Sequence, residues 1–231
     1  MDSVISICNA ALRMLKVSVI NSMNEGSEQA RACAAVYDGA RRALLRLVTW
    51  NFARTFAPLA LSAAWRENPL WRFAYLLPSD CLYAVRVYPA ETMAYAAAGA
   101  SMAYADGRPR DLAESADARF EAGLLKEDIG GISNMAKVIF TDAEGAYLEY
   151  VADVSDPKLF DPMFAEVLSY KLASCLAIPL AGNDSAGAYY ARLADEALSA
   201  ARLACANEGR RARAVPAPAG RLSSFSHLGK Y

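Results

Sequence analysis

Histidine is almost absent: the 231 residues contain one, His227, close to the C-terminal end. A base that activates serine or cysteine has to be held within hydrogen-bond reach by rigid neighbours. His227 stands in a stretch of prolines and serines, so a Ser-His-Asp or Cys-His site is not expected. A cationic excess is also missing. The formal net charge is -1, whereas a dedicated nucleic-acid binder usually carries clear positive charge to displace counterions. Cysteine is sparse and scattered: Cys8, Cys33, Cys81, Cys175 and Cys205 are an odd number, far apart, with no metal-ligand spacing. They read as buried thiols made in a reducing compartment, and zinc is not expected. No glycine-rich loop leads into Lys and Ser or Thr, and there is no dinucleotide fingerprint. The longest apolar run, VLSYKLASCLAIPLAG, is broken by Lys171 and Pro179, and the start has an acidic head where a signal peptide has a basic one. These features give the expectation of a soluble protein made in the cytosol, with no cofactor and no metal.

What is present is a foldable core. Apolar residues make up 55% and charged residues 21%, which suits one or two packed domains. Val4, Cys8, Ala11, Leu12 and Leu15 recur at three- and four-residue steps, predicting a first helix over 3–16 capped by Asp2 or Ser3. Ser27 opens a second, with Glu28 in its first turn and a stripe through Ala30, Cys33, Ala34, Tyr37, Leu44, Leu47 and Val48. From about Trp71 the period changes to two. WRFAYLLPSDCLYAVRVY and the unit MAKVIFT-DAEG-AYLEYVADV read as strands, the latter as strand, turn and strand. Residues 91–111, ETMAYAAAGASMAYADGRPRD, read as a long loop or a weak hairpin. Asp161-Pro162 starts a third helix that Pro179 and Gly182 are expected to stop, and Asn183 caps a fourth, with Tyr190, Leu193, Ala197, Ala201 and Ala204 on its apolar face. After residue 209 the pattern ends.

The fold class expected from this order is α+β, mainly α: a helical bundle formed by the N- and C-terminal helices, a β-strand insertion projecting from one end, and an extended C-terminal arm. The corresponding domains are 1–70 with 155–209, 71–154, and 210–231.

Several residues could carry chemistry or contacts. Glu121, Glu127, Asp128, Glu144 and Glu149 could supply a carboxylate pair for glycoside hydrolysis, or simply decorate a solvated sheet edge, and no spacing singles out a pair. Arg31, Arg41, Arg42 and Arg46 could meet DNA phosphates or form salt bridges. In the tail, Arg210, Arg211, Arg213, Arg221 and Lys230 alternate with Leu222, Phe225, Leu228 and Tyr231, with no acidic residue. Charge mixed with spaced apolar anchors suits a segment that orders in a partner's groove; the other reading is an unstructured solubilising end. The stretch YDGARRALLRLVTWNFARTFAPLAL runs a basic amphipathic helix straight into Trp50-Asn51-Phe52, where a polar cap would be usual.

ICNAALRML, EQARACAAVYDGARRALLRLVTWNFA, LPSDCL, YVADVSDPKLFDPMFAEVLSYKLASCLA and YYARLADEALSAARLA together resemble the tail tubular protein A, or head-to-tail adaptor, family of short-tailed phages, over most of residues 3–207. The resemblance implies a non-enzymatic virion connector. Its subunits would form a homo-oligomeric ring, a dodecamer, beneath the portal protein. The β part would turn toward the tail nozzle protein, and the arm with Arg210, Arg211, Arg213, Arg221, Leu222, Phe225, Leu228 and Tyr231 would dock on the portal. DNA would pass through the centre with only transient, non-specific contact. On this view Trp50, Asn51 and Phe52 are a structural corner that turns the chain out of the helices, with the Trp50 N–H bonded and Asn51 holding the turning backbone. The alternative from another class is a tail-associated cell-wall glycosidase.

Overall fold

The structure, a computed structural model, describes residues 3–66, 69–90, 104–105, 108–109, 117–129 and 132–210. Helix α1, Val4–Met14, starts at Ser3, whose hydroxyl accepts the Ser6 N–H while the Ser6 hydroxyl accepts the Ser3 N–H. This reciprocal pair satisfies two of the donors a helix start leaves bare. Beyond α1, Asn9 grips the returning loop from both sides: its amide donates to the Ile20 carbonyl and accepts the Ile20 N–H, each at 2.8 Å. Helix α2, Glu28–Leu47, is capped by Ser27. Helix α3, Pro162–Ala181, begins with Asp161 accepting the Met163 N–H at 2.7 Å, and Pro162 occupies the first turn, where no donor is needed. Pro179 does not stop it. Lying in the last turn, it removes only one bond, and the helix runs on to Gly182, whose left-handed φ of 58° ends it. Helix α4, Asp184–Arg210, follows after Asn183 accepts the Ala186 N–H.

Strands arise earlier than the sequence period suggests. β1 (Arg54–Pro58) and β2 (Ala60–Leu61) precede residue 71, and β3 (Phe73–Leu76), β4 (Cys81–Tyr88), β5 (Tyr104–Ala105), β6 (Arg108–Pro109), β7 (Phe120–Ile129), β8 (Ile132–Thr141) and β9 (Tyr147–Ala152) follow. β1, β9 and β4 form one antiparallel sheet in that order, and β2, β3, β8 and β7 form the other. The two-residue strands β5 and β6 pair with each other; the rest of the loop expected around them lies outside the described residues.

The expectation of a helical bundle with one strand insertion is therefore overturned: among the described residues the fold is α+β, with four helices and two antiparallel sheets of three and four strands, besides the small β5–β6 pair. The physical reason is visible in the alternation of β9. Val151 points into the helical core with Ile7, Leu12, Trp50 and Phe164, while Leu148 and Tyr150 point the other way and pack with Tyr75 and Ile139 of the second sheet. β4 divides likewise, Leu82, Tyr83 and Val85 toward the helices and Ala84 and Val87 away. Two register shifts in β4 permit this division. The first sheet is thus a middle layer sharing one core with the helices, not part of a projecting insertion.

The strand-turn-strand unit is also different from its sequence reading. β8 and β9 belong to different sheets, and residues 142–146 carry the chain from one layer to the other. Tyr75 organises that crossing, its hydroxyl donating to the Ala143 carbonyl and accepting the N–H of Gly145, which has φ +62°. The hairpin is β7–β8, paired from Phe120↔Thr141 to Ile129↔Ile132.

α3 is long and apolar enough to cross a membrane by length and composition. Its packing accounts for that character: Phe164, Leu168, Leu172 and Leu176 are buried among residues from α1, α2 and α4, and a helix touched on several sides is apolar on several sides.

Candidate assembly surfaces

Four aromatic rings close the junction between α2 and the first sheet. Trp50 is completely buried, and its indole N–H donates to the Leu44 carbonyl at 3.0 Å. Its ring meets Phe164 edge-on at 5.0 Å, and Phe52 packs on Phe164 at 5.2 Å and on Phe160 at 5.8 Å. Asn51 differs from its expected role. Instead of bonding the turning backbone, its amide reaches Glu208 on α4 at 2.5 Å. The last turn of α4 is thereby held beside the corner.

The basic face anticipated on α2 divides into different tasks. Arg41 is 2% exposed and sits inside, its guanidinium donating to Asp153 at 2.5 Å and to the Val154 carbonyl at 2.6 Å, with Asp38 at 3.3 Å. Arg42 pairs with the other oxygen of Asp153 at 2.8 Å, and Arg46 donates to the Leu82 carbonyl at 2.6 Å. Three of the four arginines therefore bind α2 to β4 and to the segment after β9. The buried one, Arg41, is costly to break from one side. Tyr37, Leu44 and Leu45, at steps of four, three and four from Arg41, are buried on the same face of α2, a signal in the sequence for an inward arginine.

The carboxylates considered for hydrolysis are dispersed. Glu149, on β9, is buried, ion-paired to Arg54 and accepts the Tyr88 hydroxyl at 2.6 Å. Glu121 lies on β7 of the other sheet, opposite Phe140, and Glu144 lies in the crossing turn. The side chains of Glu127 and Asp128 lie outside the described residues. Burial first, and then donation to Glu149, pushes the Tyr88 phenol up to about 12. Glu149 works as an anchor for Arg54 and Tyr88. Among the described residues no group of three His, Cys, Asp or Glu side chains gathers as a metal site.

The cysteines are not uniformly buried. Cys8 and Cys33 are buried, Cys81 and Cys205 are half-buried, and Cys175 is exposed on α3. A hydrogen bond to Cys33, reinforced by burial, pushes the Cys8 thiol upward, and burial raises Cys81 to about 11. These two thiols are protonated and unreactive at neutral pH.

Outward apolar side chains are spread over the surface, among them two sets, on the β7–β8 ribbon and on α4. β3 pairs with β8 only from Thr141 back to Val138, so the remainder of β7–β8 is a two-stranded ribbon. The ribbon face that begins with buried Ile139 continues to Leu124 and Met135, which are 59% and 62% exposed. On α4, Tyr189 and Leu203 face out, and between α4 and the corner lies an open groove of about 430 Å³ lined by Leu47, Thr49, Asn51, Arg54, Arg202 and Cys205. Of the tail residues, Arg210 ends α4. Arg211, Arg213, Arg221, Leu222, Phe225, Leu228 and Tyr231 lie outside the described residues. Neither a protein-family model nor a curated protein matches this chain.

Proposed function

We propose that the chain is a structural head-to-tail adaptor that forms a ring, joining the portal to the tail nozzle of a short-tailed phage while letting DNA pass. The observation that carries this reading is where the segments bearing the resemblance meet. EQARACAAVYDGARRALLRLVTWNFA supplies Arg41 and Trp50, LPSDCL supplies Asp80, and YVADVSDP supplies Asp153. Although far apart in the chain, they converge on one junction through Arg41–Asp153, the Tyr150 hydroxyl on Asp80 at 3.1 Å, and the Asp153 N–H on the Asp80 carbonyl at 2.7 Å. A junction built this way fixes the helices relative to the sheets, which a connector needs if load is to pass from one neighbour to the next.

Assembly then proceeds by surface completion. Each subunit offers exposed apolar side chains and a cationic arm; the portal supplies a circular template, and many modest contacts multiply once several copies are attached. Deleting residues 210–231 tests the docking arm. The truncated protein keeps its fold, read by far-UV circular dichroism, and loses attachment to the portal in sedimentation. Attachment equal to that of the full chain rejects the arm's role.

A further inference from the structure

At the end of the second sheet where Phe73, Thr141 and Phe120 pair, the β2–β3 loop brings Trp65, Arg66, Leu70, Trp71 and Arg72 beside Arg119 and Asp142. Asp142 draws them together: one carboxylate oxygen accepts the Arg72 N–H at 3.1 Å and the other faces the Arg119 guanidinium at 3.4 Å. The Trp65 indole donates to the Arg72 carbonyl at 3.2 Å and its ring packs on Phe140 at 5.1 Å. Two guanidiniums lie over aromatic rings, Arg119 over Trp71 at 4.2 Å and Arg72 over Phe73 at 5.2 Å. Leu70, whose carbonyl accepts from the Arg119 guanidinium at 3.2 Å, is 71% exposed.

Stacking on a ring restrains a guanidinium and leaves N–H edges for a planar acidic group. Trp and Arg around an apolar centre are the residues that dominate protein interfaces. Arg66, Arg72 and Arg119 outnumber Asp142 and Glu67, the latter outside the described residues, so an incoming surface with the complementary sign is favoured. A DNA duplex would answer the arginines with phosphates but leave Leu70 uncovered.

We propose that this patch docks an acidic protein surface whose carboxylates surround an apolar side chain. On the adaptor reading, from which only the partner's identity is taken, that protein is the tail nozzle protein. The fitted ends are Arg72, Arg119 and Leu70; Trp65 and Trp71 support them.

The test uses the full-length chain, the portal and the nozzle protein of the same particle. Ring formation on the portal is read first, by native mass, and reports on the adaptor reading alone. Binding of the nozzle protein is then measured by light scattering for the wild type and for Arg72→Glu and Leu70→Asp, with the ring, or with the single chain if no ring forms. Both substitutions fall on exposed side chains, and an unchanged melting temperature shows that the loop still folds. The expected result is that each weakens nozzle binding by about tenfold or more, with an unchanged ring mass. Undiminished binding by both variants overturns the proposal. So does a wild-type chain that binds a 30-base-pair duplex through these arginines and ignores the nozzle protein.

Discussion

The helical layer and the outer sheet solve burial in different ways. The helices enclose a large continuous core with Trp50, Phe164, Leu168 and Leu172 at its centre. The core between the sheets is smaller, built on Tyr75, Val87, Ile139, Leu148 and Tyr150, and the β7–β8 ribbon extends beyond it with Leu124 and Met135 turned outward. Both regions keep large apolar side chains at the surface, Ile178, Tyr189 and Leu203 on the helices and Leu70, Leu124 and Met135 on the sheet side; what separates them is the size of the core beneath. Stability is therefore expected to depend mainly on the helical side and its junction.

Trp50→Ala is the strongest way to break that contrast. Removing the indole leaves a cavity among Phe52, Phe164 and the Leu44 carbonyl, and a loss of about 3–5 kcal/mol in urea unfolding is expected. A loss below about 1 kcal/mol would show that the corner is not closed as described. Arg41→Ala comes next. It strands Asp153 between Arg42 and a vacant site, and about 3 kcal/mol is expected to be lost. Replacing both partners, Arg41→Met with Asp153→Leu, should recover part of this in the same assay. No recovery would mean that the pair acts through something other than uncompensated charge.

Much of the helical layer could be read directly from caps and periods. Ser27, Asp161 and Asn183 each occupy the position that a short polar side chain favours at a helix start, and each bonds the backbone there. β1 was hidden because RTFAP is short, follows directly on the corner and ends in proline. The β8–β9 pairing was misread because alternation and an Asp-Ala-Glu-Gly turn describe local conformation only. Whether such strands pair or part into two layers depends here on Tyr75, about seventy residues earlier in the chain. Arg41 illustrates a third limit. A charge count sees four arginines on one helix, but the partner that draws one inside, Asp153, is at a sequence separation of 112. The Trp65–Arg72 patch was likewise invisible, since its organising carboxylate, Asp142, is 70 residues from Arg72.

Titration sharpens the comparison on the sheet side. Burial, followed by hydrogen bonds to Glu149 and Asp80, raises Tyr88 and Tyr150 each to about 12, whereas a phenol in the unfolded chain ionises near 10. Between these values the unfolded chain has lost more protons than the folded one, so stability present below about pH 10 is lost as pH rises toward 12. The melting temperature is expected to fall across that window, and Tyr88→Phe to flatten the fall. An equal slope in the variant would remove Tyr88 from the explanation. The smallest effect is expected at the ribbon: Met135→Ser should change unfolding stability by no more than about 0.5 kcal/mol, because the side chain is largely in solvent. A larger loss would place Met135 inside the sheet core and erase the distinction between the regions.

The mass of the full-length chain, measured alone and then with its portal by native mass spectrometry, tests the adaptor reading most directly. The expected result is a single copy alone and a closed multiple of copies on the portal. A chain that remained single in the portal's presence would contradict it.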